Sequence, residues 1–241
     1  MREGRRRADV LVISIFVNPA QFAPHEDFDA YPRDLERDLD LAREVGVDLV
    51  FTPGDRDLYP EGYQTYIQVE ALQKPLCGVS RPIFFRGVAT VVAKLFNIVR
   101  PHVAIFGEKD YQQLVLIRRL VDDLNFDIRI IGGEIVREPD GLAMSSRNAY
   151  LTEEQRPAAL SLVQALRAAQ RKVEQGESDA RRVLKEASER IRSYPDTEID
   201  YIAVVDPDTL HPMEIVDRPA RMALAVKVGG TRLIDNMPLV P

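Results

Sequence analysis

The chain has no tryptophan, one cysteine and three histidines among 241 residues. With Cys77 alone, an intrachain disulfide and a thiolate metal cluster are excluded, and a reducing, cytoplasmic setting is expected. No histidine neighbours Cys77 in sequence, so its expected role is packing and not nucleophilic catalysis. His25, His102 and His211 match no catalytic pattern and read as surface or structural residues. No apolar run reaches the ~18 residues that a membrane-spanning helix needs. The basic opening MREGRRR runs into a strand-like segment without a small-residue cleavage site, which argues against a signal peptide. A basic surplus is lacking too: 32 Lys and Arg against 38 Asp and Glu leave a net charge of −6. That removes the electrostatic footprint of a nucleic-acid partner and leaves a small molecule as the expected one.

What is present is ordinary for a globular protein: 45% hydrophobic and 29% charged residues, in a length sufficient for one large or two small domains. The first half alternates strand and helix signals. Val10–Val17 is a strand-like run; 34–45 places Leu35, Leu39, Ala42 and Val45 on one helical face, with Gly46 at the cap. VDLVFTP reads as a strand. Residues 86–99 carry a wide helical stripe that Pro101 stops; VAIFGEKD reads as strand into loop, YQQLVLIRRLVDDL as helix and FDIRII as strand. Continuous apolar strands separated by helices predict an α/β domain with a doubly wound parallel sheet. After Tyr150 the character changes. Thr152 and Gln155 form a capping box before a helix ending near Gln175, Ser178 opens a second helix, and three short strands follow. The expected organisation is a Rossmann-like domain over 1–136 and a smaller α+β domain over 137–241.

In open parallel sheets ligands lie beyond the carboxyl ends of the strands, which directs attention to FVNPAQF, FGEKD and REPDGLAMSSRN. Taken alone, Gln112 and Gln113 read as solvated first-turn residues, Lys109 and Asp110 as a surface ion pair, and the acidic run Asp34–Asp40 as a solvated helix face. GLAMSSRN resembles the mobile loop with which class I aminoacyl-tRNA synthetases and related adenylate-forming enzymes meet ATP. SIFVNPAQF, SRPIFFRGVATVVAKLFNIVRP, FGEKDYQQLVLIRRLV, DGLAMSSRNAYLT and RLIDN, in collinear order over essentially the whole chain, resemble the pantothenate synthetase (pantoate:β-alanine ligase) family.

The resemblance implies a nucleotidyltransferase-type fold of the class I synthetase kind, with the C-terminal domain as a lid carrying the M-S-S-R loop. It also implies ATP-dependent condensation of pantoate with β-alanine through pantoyl adenylate, in a cytoplasmic homodimer. It assigns ATP contacts to Gly107, Glu108, Lys109, Asp110, Val136, Met144, Ser145, Ser146 and Arg147. Catalytic roles fall on Lys109, Ser145, Ser146 and Arg147, pantoate on Gln21 and Gln113, and β-alanine on Gln21. Asn18 and Arg81 are weaker candidates in the same pocket. Cations and hydroxyls suit a phosphate gathering negative charge, and neutral amides orient a carboxylate without the full charge of arginine. Mg²⁺ accompanies ATP, its ligands unassigned, with a carboxylate of 34–40 one possibility.

In one respect the sequence departs from the family pattern. Family members open with an additional strand and a P-T-M-G-x-L-H-x-G-H loop, whereas MREGRRR aligns with the later part of the helix that follows it. The expectation is an N-terminally truncated version of the ligase, with a start assigned downstream of the true one and two strand edges left unpaired; only were Met1 the true start is little or no adenylate formation expected. The alternatives are a nucleotidyltransferase of the same superfamily, which calls for basic residues where Gln21 and Gln113 stand, and a catalytically impaired binding remnant.

Overall fold

Strand and helix alternate through the first 133 residues as the apolar patterning predicts. A computed structural model describes residues 1–24 and 26–241; His25 lies outside the described residues. In chain order the elements are α1 (Arg2–Arg5), β1 (Val12–Ser14), α2 (Leu35–Val45), β2 (Leu49–Phe51), α3 (Asp55–Leu58), α4 (Cys77–Ser80), α5 (Phe84–Val99) and β3 (Val103–Gly107). They continue with α6 (Tyr111–Asp123), β4 (Arg129–Gly133), α7 (Arg156–Glu174), α8 (Ala180–Arg192), β5 (Thr197–Val205), β6 (Ala220–Val228) and β7 (Thr231–Leu239). The chain divides into one unit of residues 1–73, 81–106 and 116–133 and a second of residues 74–80, 107–115 and 134–241.

In the first unit β1 and β2 pair in parallel, Val12 opposite Leu49 and Ser14 opposite Phe51. β3 and β4 form a separate pair, so the strands make two two-stranded sheets and not one continuous sheet. Helix α2 forms where its caps place it: the Asp34 carboxylate accepts from the Arg37 N–H at 3.1 Å, and Gly46 takes the left-handed conformation at φ 75°. Its apolar stripe is thinly covered. Only Ala42 is buried and Leu35 stays 47% exposed, because β1 and β2 are three residues each. The core comes instead from α5, which packs Val88, Val91, Val92 and Phe96 with Ile117, Leu120 and Val121 of α6. Phe96 meets the rings of Phe106 and Phe126 edge-on, at 6.2 and 5.6 Å.

The second unit packs α7 and α8 with a three-stranded antiparallel meander, β5-β6-β7. The central strand β6 is apolar almost throughout and seven of its nine residues are buried. Gly229 and Gly230 close the β6–β7 hairpin in two residues at φ 54° and 89°, the backbone that a primed turn demands. Thr152 and Gln155 bond reciprocally, backbone to side chain, at 3.1 and 3.4 Å, one turn ahead of α7. Helix α8 is capped by Asp179, whose carboxylate accepts from the Arg181 N–H at 2.9 Å, one residue past the Ser178 to which the sequence pointed. Among the described residues, no helix is long and apolar enough to cross a membrane.

Candidate active site

In the first unit, β1 runs out into Asn18, and Pro19–Gln21 forms a single 3-10 turn. Proline at the first position costs nothing there, since its missing N–H would have had no helical partner. Asn18 is 3% exposed and all of its amide is used. Its Oδ1 accepts from the Ala20 N–H at 3.2 Å and from the Tyr59 hydroxyl at 2.8 Å. Its Nδ2 donates to Gln21 Oε1 at 3.2 Å and to the Gly87 carbonyl at 3.1 Å. Burial, with Tyr63 beside it, pushes the Tyr59 hydroxyl well above the ordinary phenol range, so it stays a donor. With Gln21 Oε1 bonded by Asn18, the side chain's own N–H₂ is the group left to present to a ligand. Gly87 explains how closely the turn is held: a Cβ there would lie 2.3 Å from the Ala20 carbonyl oxygen.

Arg81 grips Glu26 with two 2.6 Å bonds and donates to the Gln21 carbonyl at 3.2 Å, with its guanidinium 4.0 Å from the Phe84 ring centroid. Burial raises the Glu26 carboxyl, yet Arg81 outweighs it and holds Glu26 below its ordinary value. Arg81 therefore orients the turn carrying Gln21, and its charge is already matched. A cleft of about 560 Å³ lies beyond the ends of β1 and β2, lined in part by Val17, Tyr31, Asp34 and Thr52. None of the residues matched to substrates lines it.

In the second unit, Gly107 ends β3 and a 3-10 turn, Glu108–Asp110, leads into α6. A Cβ on Gly107 would meet no protein atom within 4 Å, so packing does not call for glycine there. Lys109 forms no ion pair or hydrogen bond through its ammonium among the described residues, and the expected Lys109–Asp110 surface pair is absent among them. Gln113 stands on the first turn of α6, half-buried and without a hydrogen-bond partner among the described residues. Gln112 is not solvated. It is 7% exposed and clamps the 75–77 segment, donating to the Pro75 carbonyl at 2.7 Å and accepting from the Cys77 N–H at 3.1 Å.

Val136 and Met144 meet across a short hairpin, the Met144 N–H donating to the Val136 carbonyl at 2.9 Å. Both side chains are exposed, at 64% and 53%. Past the hairpin, the Ser145 hydroxyl caps the 3-10 turn Ser146–Tyr150 by accepting from the Arg147 N–H at 3.3 Å. Asn148 ties this turn down, donating to Glu138 at 2.6 Å and to the Ala143 carbonyl at 3.0 Å. Asn148 first and Arg156 second hold the Glu138 carboxyl below its ordinary range. The structure thus gathers Gly107–Asp110, Gln113, Val136 and Met144–Arg147 in the second unit, and places Gln21 in the first.

Residues that sequence reasoning missed include Tyr59 and Arg137. Arg137 fork-bonds the buried Asp235 at 2.7 and 3.0 Å and donates to the Gly141 carbonyl at 3.1 Å. His102 and His211 are exposed, as read from the sequence. Cys77 is buried.

A family model described as pantoate-beta-alanine ligase matches residues 1–238. The pantothenate synthetase of Syntrophobacter fumaroxidans is 60% identical over 241 residues, all of this chain and 85% of that relative. The crystal structure of pantothenate synthetase from Thermus thermophilus superposes with a TM-score of 0.96 at 48% identity, covering all of this chain and 87% of that one. A pantoate-beta-alanine ligase from Francisella tularensis, solved with β-γ ATP and β-alanine, matches with a TM-score of 0.79 at 32% identity, over 98% of this chain and 82% of that one.

Proposed function

Because the chain belongs to the pantoate-beta-alanine ligase family, we propose that it joins pantoate to β-alanine with ATP as co-substrate, through a pantoyl-adenylate intermediate. In the first step a carboxylate oxygen of pantoate attacks the α-phosphorus of ATP; the bond to the bridging oxygen breaks and pyrophosphate leaves with the electron pair. In the second, the β-alanine amine attacks the acyl carbon, the C–N bond forms, AMP leaves, and the amine releases a proton. No covalent bond to the protein is required. The neighbour solved with β-γ ATP and β-alanine supports these two substrates.

The roles divide by chemistry. Lys109, with Ser145, Ser146 and Arg147, stabilises the charge that gathers on the phosphates. Gly107, Glu108, Asp110, Val136 and Met144 complete the nucleotide's surroundings. Gln113 and the N–H₂ of Gln21 orient the pantoate carboxylate, and Gln21 also serves β-alanine. Mg²⁺ enters as part of Mg-ATP; among the described residues no group of three His, Cys, Asp or Glu side chains is gathered to hold an ion. From the family resemblance we also infer a cytoplasmic homodimer and a lid role for the domain bearing Met144–Arg147.

The observation that carries the reading is the state of Lys109 and Gln113. Lys109 lies in the 3-10 turn entering α6 and Gln113 on the first turn of α6, and neither side chain is bonded to a described residue. The test is ATP–pyrophosphate exchange. Exchange that needs pantoate but not β-alanine is expected, falling about 10²- to 10³-fold in Lys109→Ala. Exchange indifferent to pantoate, or to Lys109→Ala, overturns the reading, and calorimetric binding of ATP and pantoate without exchange identifies a binding remnant.

A further inference from the structure

Strand β7 reads TRLIDNMPL, and its two adjacent polar residues, Asp235 and Asn236, are 3% and 2% exposed. Polar groups buried that deeply are held there by bonds that satisfy them, and here the two residues bond toward different functional loops. The Asn236 Nδ2 donates both of its hydrogens, to the Glu108 carbonyl at 2.9 Å and to the Lys109 carbonyl at 3.0 Å. Its Oδ1 accepts from Arg221 Nη1 at 3.0 Å. Arg221 lies 3.9 Å from the Tyr111 ring centroid and 3.5 Å from the Glu108 carboxylate, closing a cage around the Glu108–Asp110 turn. Asp235 takes the Arg137 fork, and Arg137 in turn bonds the Gly141 carbonyl at the tip of the hairpin that leads into Met144–Arg147.

Successive side chains on a strand point to opposite faces. A single strand therefore reaches the lysine turn with one residue and the serine–arginine hairpin with the next. We propose that Asp235 and Asn236 form a positioning pair: Asn236 fixes the backbone from which Lys109 projects, and Asp235, through Arg137, fixes the hairpin bearing Ser145–Arg147. Neither residue touches the reacting atoms. The role in catalysis rests on the reading that those two loops face ATP; the role in ordering the loops does not.

Asn236→Asp isolates the clasp. It preserves the side chain's size and the oxygen that accepts from Arg221, and it turns a donor toward the two carbonyls into an acceptor. Hydrogen exchange and kinetics on the same preparation form the test. Amides of 107–113 should exchange at least ten-fold faster than in the parent, while those of β6 stay unchanged. The KM for ATP should rise at least ten-fold. A merely structural defect would instead lower kcat through the folded fraction and leave that KM in place. Asn236→Ala, which removes the donors without adding charge, should reproduce the loosening and decides the matter if Asn236→Asp does not fold. Asp235→Asn should loosen 137–147 and spare 107–113. Unchanged exchange at 107–113 in a folded Asn236 variant overturns the proposal. If the parent shows no pantoate-dependent exchange, or Lys109→Ala is without effect, the functional reading falls while the amide measurement still decides the positioning role.

Discussion

The two units hold their functional turns by different means. In the first, backbone rests directly on backbone, Gly87 of α5 against Ala20, and side-chain bonds from Asn18, Tyr59 and Arg81 add to that contact. In the second, long-range side chains do the holding, from a strand more than a hundred residues away in sequence. Burial differs in the same sense. No residue of β1, β2 or β4 is buried, nor any of β3, whereas seven of nine are buried in β6. Parallel sheets normally lie buried on both faces; here the first unit depends on α5 and the second half of α6 for its core. The first turn, pressed against Gly87, tolerates no added atom there, and the second, held without such a contact, tolerates no change of donor at Asn236.

The contrast in burial predicts the largest effect. Leu224→Ala, in the fully buried centre of β6, should cost about 2–5 kcal/mol in denaturant unfolding. Ile13→Ala in the half-buried β1 should cost about 1 kcal/mol, because less apolar surface leaves water there. Equal losses at the two sites would erase the distinction.

The glycines sharpen it further. Gly87→Ala drives a Cβ into backbone and should cost about 1–3 kcal/mol, with pantoate-dependent turnover falling as Gln21 moves. Gly107→Ala meets no protein neighbour, so its melting temperature should match the parent while its KM for ATP rises. A stable, fully active Gly87→Ala enzyme would refute the contact mechanism.

The smallest effect is titratable. Glu26 is held below its ordinary value of 4.5 by Arg81, so the pair contributes stability above that pH, and the contribution is lost as pH falls through the lower folded value. Its size is about 1 kcal/mol or less. Arg81→Gln should flatten the acid limb of a stability profile below about pH 4.5; an unchanged profile would remove the pair from the account.

Much of this architecture was legible in the sequence. Helix α2 lies where Asp34, the apolar stripe and Gly46 put it, because capping is chemistry within a few residues. The three C-terminal strands were legible from their apolar runs. β1 proved shorter than the Val10–Val17 run, ending at Ser14, since the chain turns at Asn18 and Pro19 and has no strand partner to follow. The motif turns FGEKD and MSSRN were legible as loops beyond strands. The grip on them was not: Asn236 and Lys109 are separated by 127 residues, and no local pattern encodes that distance. Gln112 was misjudged for a related reason, since its burial depends on the 75–77 segment returning to meet it. The one available signal was two adjacent polar residues set between the apolar Leu233–Ile234 and Met237–Leu239 of β7.

The Gly229–Gly230 turn closes a ladder in which Ala223 faces Asn236 and Leu224 faces Asp235. Inserting or deleting one residue there would slip the register by one, so that either Asp235 meets the carbonyls of Glu108 and Lys109 while Ile234 faces Arg137, or Asn236 faces Arg137 while Met237 meets the carbonyls. The length of this hairpin thus sets which residues meet the two loops: any net slip along β7, by one residue or by two, replaces Asp235 and Asn236 there with at least one apolar neighbour.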